Sequence, residues 1–315
     1  MRTKEVGVLL VLAALWGGGF LFIRIATPAF GPVALMAMRV LLTGLCLFVF
    51  ALVTRTRLEL RTYWHHYLVI GIINAALPFL LIGVAELYLT SGLAALLNAT
   101  TPLFGAITAV IWMREAMTIK KVVGLGLGLL GVVIVAGWST LPFSTTLILA
   151  VGASLAAAAS YGLASVYIKV SLGNKVSSLA TATCSQFFAT LFLLPLTFVA
   201  PPTRVPTLTE WLSVAALALL CTAATLLLYI WLIAHAGPTK ALTVTFLAPV
   251  FGVFWGVLFL KEPLTLSPFV GLVVILVGAG LVTELLLPGW PRRVTETLSE
   301  PGERHVAAEM KGEHL

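Results

Sequence analysis

From Val6 to Leu287 the sequence is a succession of apolar stretches, each about twenty residues long, the length a helix needs to cross a bilayer core. Cutting at charges, prolines and polar clusters gives ten: 6–26, 33–53, 67–87, 93–113, 121–138, 146–168, 178–199, 211–233, 241–260 and 268–287. In lipid every backbone N–H and C=O must be satisfied within the protein, so stretches of this kind become helices. Of the 315 residues 60% are hydrophobic and only 10% charged, against about 25% charged in soluble domains. The expected class is an all-α integral membrane protein with ten transmembrane helices joined by short loops.

Lysine and arginine set the orientation. Arg55, Arg57 and Arg61 follow span 2; Arg114, Lys120 and Lys121 follow span 4; Lys169 and Lys175 follow span 6; Lys240 follows span 8. With Arg2, Lys4, Arg292 and Arg293 they fall on one side, leaving little but Arg204 and Lys261 on the other. Both termini are therefore expected in the cytoplasm of a cell with this chain in its inner (plasma) membrane. The net charge of +7 reads as topology, and the expected partners are the lipid bilayer and a small-molecule solute, not nucleic acid. Residues 288–315, polar and of mixed charge, read as a disordered cytoplasmic tail.

The twelve acidic residues are all glutamates. Without aspartate there is no Walker-B acid, aspartic dyad or Ser-His-Asp triad, and no P-loop motif occurs. Cys46, Cys184 and Cys221 lie inside apolar stretches without metal-ligand spacing. No metal, cofactor or catalytic residue is expected. A membrane enzyme would need intramembrane acids or a histidine cluster, whereas His65 and His66 map to a loop and His235 to a helix end.

The two halves of the chain resemble each other. "TPLFG" at 101–105 answers "APVFG" at 248–252, and the offset of 147 that carries Pro102 to Pro249 also carries Gly105 to Gly252, Arg114-Glu115 to Lys261-Glu262, Gly124 to Gly271 and Gly131 to Gly278. Nearer the start, Trp16 answers Tyr161 and Arg24 answers Lys169 at an offset of 145. Residues 2–25 resemble a signal peptide, but a cleaved leader has no counterpart later in a chain. The expected units are repeats over 6–138 and 146–287. Five spans in each make the second repeat inverted, the construction of many secondary transporters, with the solute site near the midplane.

Ten spans as five plus five, "LWGGGFLFIRIA" in span 1, Arg39 in span 2 and the "P-x-F-G … [RK]-E" pattern ending spans 4 and 9 resemble the EamA-type transporters of the drug/metabolite transporter superfamily, which include bacterial aromatic amino acid exporters. The resemblance covers residues 6–287. It implies export or exchange of small metabolites, often amino acids, without ATP hydrolysis, and a cavity bounded by spans 1, 3, 4, 6, 8 and 9.

Pro102 and Pro249 each remove a backbone bond and free the carbonyls of Asn98 and Thr245. Either these helices kink at a cavity and offer oxygens to a polar solute, or neighbours satisfy ordinary kinks. Asn98, Thr101, Thr245 and Asn74, the last of these four residues before Pro78, either line that cavity or bond between helices. Trp16 and Tyr161, deep in their spans, either wall the site or pack in the core; Tyr229 and Trp231 read as interfacial. Gly17, Gly18 and Gly19 read as a hinge beside Trp16. Arg24, Arg39 and Glu86 map toward the outer ends of spans 1–3, where Glu86 is expected to pair with an arginine as an outer gate or a brace. The glycines of spans 5 and 10 serve close packing within a monomer or, alternatively, a dimer seam. The leading function is a secondary transporter that exports or exchanges small metabolites, aromatic or apolar amino acids foremost, by alternating access; the alternatives are an exporter of another metabolite or drug-like solute and a non-transporting membrane receptor or assembly subunit.

Overall fold

The computed structural model describes residues 2–137, 144–173, 175–263 and 266–283, so the tail expected at 288–315 lies outside the described residues. Those residues form helices and connecting turns and contain no strand. Six of the helical segments are long and apolar enough to cross a membrane, and Val244–Leu260 and Phe269–Val282 are shorter apolar helices. Large apolar side chains face outward, among them Ile111, Leu129 and Phe198, as lipid-facing surface requires.

The first segment, α1 (Thr3–Val53), has 51 residues. Straight, it would run roughly 75 Å, well over twice the ~30 Å core of a bilayer. It breaks at Gly31, the single non-helical residue inside it, with φ 69° and ψ 161°. Pro32 has no N–H, so the Pro28 carbonyl loses its helical donor. Thr203 repairs the break: its Oγ1 donates to Pro28 O at 2.7 Å and its N–H to Ala29 O at 2.9 Å. The break does not fall at Gly17–Gly19, which the sequence marks as a hinge. Helix continues through those glycines, and the bend falls where a proline and a positive φ interrupt it.

The next segments carry their own interruptions. A π-helical turn, Ile72–Ala76, joins α2 (Leu60–Gly71) to α3 (Leu77–Ala85) just ahead of Pro78. Ala99 and Thr100 separate α4 (Ser91–Asn98) from α5 (Thr101–Met113), where Pro102 sits in the first turn. Then come α6 (Ile119–Gly137), α7 (Thr145–Ser171) and α8 (Ser178–Leu193). A second π-helical turn, Leu219–Ala224, joins α9 (Leu208–Ala218) to α10 (Thr225–Ala236). It starts 147 residues after the first. The short α11 (Pro238–Ala241), α12 (Val244–Leu260) and α13 (Leu266–Val282) follow. Pro249 lies inside α12 without ending it, whereas its counterpart Pro102 starts a new helix. Arg114 and Lys261, also 147 apart, end α5 and α12 in the same left-handed conformation, φ 55° and ψ 33°.

Packing repeats along with these marks. A Cβ at Gly17 would stand 2.7 Å from the Gly252 nitrogen and 2.9 Å from Phe251 Cβ, so α1 lies backbone to backbone on α12. A Cβ at Gly162 would stand 2.5 Å from the Gly105 nitrogen and 2.9 Å from Phe104 Cβ, placing α7 on α5 in the same way. Gly17 and Gly162 are 145 apart; Phe104-Gly105 and Phe251-Gly252 are 147 apart. Helices α6 and α13 also share their glycines, Gly124 against Gly278 and Gly131 against Gly271. Small residues are what allow helices to approach this closely in lipid.

One long-range contact ties α12 to α4. The Glu262 carboxylate accepts from Ser91 N at 2.7 Å and Gly92 N at 3.1 Å. These are unsatisfied donors of a helix N-terminus, where a negative charge is favoured. Gly92 and Gly256 clear space for it: a Cβ on Gly92 would lie 3.3 Å from Glu262 Oε2, and one on Gly256 would lie 2.6 Å from Ser91 Oγ.

Two outcomes follow for the purified protein in detergent. Gly17→Ala and Gly162→Ala are each expected to lose about 1–3 kcal/mol, the cost of overpacking. Gly18→Ala, whose Cβ meets Cys221 Sγ and Trp255 Nε1 only at 3.7 Å, is expected to melt like the wild type. Thermal unfolding separates them, and a Gly17→Ala protein of unchanged Tm would contradict the backbone contact. Glu262→Gln is expected to cost about 2 kcal/mol, the range of a bond to a charged acceptor. It should also speed amide exchange at Ser91 and Gly92; slow exchange there in the variant would mean another group caps α4.

Candidate functional site

Hydroxyl groups take up many of the carbonyls that the interruptions release. Thr101 Oγ1 donates to Asn98 O at 2.8 Å, the carbonyl that Pro102 leaves without a helical donor. Ser160 on α7 donates to Ile73 O at 2.6 Å, inside the first π-helical turn. Thr43 on α1 donates to Ala218 O at 3.0 Å, just ahead of the second. At that second turn Thr222 Oγ1 donates back to Leu217 O at 2.7 Å, and Thr225 Oγ1, at the start of α10, donates to Cys221 O at 2.9 Å. The Thr245 hydroxyl donates to Leu242 O at 2.7 Å. These bonds repair local breaks, two of them from another helix, and leave the side-chain amides uncommitted. Asn74 is half-buried, and the buried Oδ1 of Asn98 has no hydrogen-bond partner among the described residues.

The aromatic residues divide into two groups. Trp16 meets Tyr229 edge-on, with ring centroids 5.8 Å apart. Tyr161 meets Phe79 edge-on at 6.4 Å. Tyr229, expected at the interface, is thus an inner partner of Trp16, while Trp231 does sit beneath a charged group, the Lys4 ammonium, 5.5 Å from its ring. The two ring pairs join α1 to α10 and α7 to α3. Trp16 and Tyr161 belong to separate buried clusters.

Arg39 connects the second group. Its guanidinium lies 3.7 Å from the Phe79 ring centroid, and its Nε–H donates to Thr222 Oγ1 at 3.0 Å. Thr222 is the midpoint of the Leu208–Ala236 segment. The long side chain therefore brings its charge to the middle of that segment.

The expected ion pair of Glu86 with an arginine is not formed. Glu86 is fully buried, and neither of its carboxylate oxygens has a hydrogen-bond partner among the described residues. Arg24 Nη1 donates to the Glu86 backbone carbonyl instead. Lys121–Glu115 at 2.9 Å and Arg204–Glu210 are ion pairs among the described residues. The physical reason lies in backbone geometry. Glu86 ends α3, where carbonyls lack helical donors, and Arg24 satisfies one of them.

Thr222, Thr43, Phe79 and Glu262 were not singled out by sequence. For Glu262 a signal was present, since Lys261-Glu262 answers Arg114-Glu115, but the repeat marks the position without assigning a role. Thr222 and Thr43 look like any threonine in an apolar stretch, because their partners are 183 and 175 residues away.

Comparison with known proteins adds to this geometry. Residues 3–137 and 147–284 each match the EamA-like transporter family. The uncharacterized transporter YvbV of Bacillus subtilis is 28% identical over 288 residues, covering 89% of this chain and 92% of that protein. The uncharacterized inner membrane transporter YedA of Escherichia coli (strain K12) is 26% identical over 306 residues, covering 92% and 96%. A solved crystal structure, 19% identical, superposes with a TM-score of 0.65 over 90% of this chain and 98% of its own, a likeness of fold alone. Through matches that span nearly all of its apolar sequence, this multi-pass helical membrane protein belongs to the EamA-like transporter family.

Proposed function

We propose that the chain exports or exchanges small metabolites across the inner membrane, amino acids with aromatic or apolar side chains foremost, by alternating access around a central cavity. In this reading ten spans form two inverted five-span repeats, 6–138 and 146–287, and both termini are cytoplasmic. The chain acts as a monomer without cofactor.

The observation that carries the reading is the paired glycine contact. Gly17 lies on Phe251-Gly252 and Gly162 on Phe104-Gly105. Each repeat lends its first span to the fourth span of the other. An axis in the membrane plane that exchanges the repeats exchanges these two contacts, and alternating access needs two such equivalent seams, one closing as the other opens. The crossed pairs Gly124–Gly278 and Gly131–Gly271 obey the same exchange.

Trp16, Tyr161, Asn74, Asn98, Thr101 and Thr245 are assigned to the solute. Pro78, Pro102 and Pro249 are assigned to flexing, together with Gly31, and Gly17–Gly19 to the seam along which α1 moves. Arg24 braces the end of α3. An aromatic or apolar amino acid suits a site walled by Trp16 with Tyr229 and by Tyr161 with Phe79, since stacked rings bury apolar surface and leave an N–H or O–H for polar groups.

Flux in proteoliposomes against a panel of amino acids and related metabolites tests the reading; no movement of any amino acid would overturn the substrate assignment. Two variants test the cavity. Asn98→Ala deletes a buried oxygen that has no partner, so its Tm is expected to hold or rise while flux falls about tenfold, the worth of one good polar contact. Trp16→Phe keeps the ring beside Tyr229 and removes the indole N–H, and is expected to raise the apparent KM with little change in Tm. Normal flux in both variants would move the solute site elsewhere.

A further inference from the structure

We propose that Arg39 is the receptor for an anionic group of the transported solute, a carboxylate, between Phe79, Tyr161 and Thr222. The inference rests on the transporter reading above and deepens it.

A guanidinium taken out of water needs a counter-charge or a full set of acceptors. Arg39 is 7% exposed and has neither. Its Nε–H is spent on Thr222 Oγ1, and one face lies on the Phe79 ring. No described residue accepts from Nη1 or Nη2, and no described carboxylate is within ion-pair distance. Glu86 and Tyr161 are within its electrostatic reach, yet the Glu86 carboxylate is bonded to nothing.

What remains open on Arg39 is the outer edge of a planar fork, two parallel N–H vectors whose spacing matches the oxygens of a carboxylate. Thr222 and Phe79 fix the plane of that fork before any solute arrives. Thr222 can do so because its own proton is committed to Leu217 O, leaving lone pairs for Arg39. Tyr161 brings a second donor: its hydroxyl has no hydrogen-bond partner among the described residues, and its ring is held by Phe79. Donors without acceptors, carried by a buried arginine and a half-buried tyrosine and held on a rigid mount, are what a carboxylate would satisfy.

The rival is that Arg39 serves only as a distant counter-ion of Glu86, and the test separates the two. Thermal stabilisation of the full chain in detergent is measured with L-phenylalanine, L-phenylalaninamide, 3-phenylpropionate and 3-phenylpropanamide. The two carboxylates are expected to bind about tenfold more tightly than their amides, the worth of one charge-assisted pair. Arg39→Gln should abolish that preference, Tyr161→Phe should reduce it severalfold, and Glu86→Gln should leave it intact. Equal binding of acid and amide by the wild type, or no shift with either carboxylate, overturns the proposal even if Arg39→Gln does not fold. So does a Glu86→Gln protein that loses the preference along with Arg39→Gln. Carboxylate binding through Arg39 without amino acid flux would overturn the amino acid reading and leave this one standing. Flux of an amino acid and its amide alike would do the reverse.

Discussion

Inside a bilayer a backbone carbonyl without a donor has no water to turn to, and that constraint organises this molecule. Its helices are interrupted at Gly31, at the π-helical turns and before Thr101. At each place a hydroxyl or a loop N–H restores a missing bond. Thr203 closes the break in α1, Ser160 and Thr43 serve the two π-helical regions, and Thr101 answers Pro102. Several of these donors come from a different helix, so the repair of a local break is also a tertiary contact.

The same constraint explains where charge is tolerated. Arg24 ends up on a carbonyl at the end of α3 and not on the Glu86 carboxylate. The Glu262 carboxylate caps α4 from the far end of α12. In both cases a charged side chain answers an unsatisfied helix end, where its charge and the helix dipole act together. Arg39 departs from this pattern. It is held by a hydroxyl and an aromatic face, neither of which carries charge, and this sets it apart from the structural arginines.

Much of the architecture was legible because it is written locally or by self-similarity. Apolar stretches became helices with ends near the expected ones, for example Ile119–Gly137 where 121–138 was expected and Thr145–Ser171 where 146–168 was. The offset of 147 anticipated Phe104-Gly105 and Phe251-Gly252 as equivalent positions, and they are used equivalently. It did not say which glycine of "LWGGGF" mattered. Gly17 touches backbone, while Gly18 and Gly19 meet side-chain atoms at 3.7 Å. Composition cannot tell them apart, because the three point about 100° apart and only the position of α12 selects one.

By itself the sequence determined that this chain is a bundle of membrane-crossing helices, that its halves are related, and that Pro78, Pro102 and Pro249 each withhold a backbone donor within it. Hydropathy, chain-length limits and the missing proline N–H act over a few residues, and a repeat is visible as spacing. Tertiary structure alone decided that Arg39 reaches Thr222, that Tyr229 faces Trp16, and that Glu86 stays without an ion-pair partner. Those outcomes join residues far apart in the chain, such as Arg39 and Thr222, 183 positions apart. A side chain several ångströms long, projected from a tilted and broken helix, ends where the packing of its neighbours directs it, and that direction is not encoded in any local stretch.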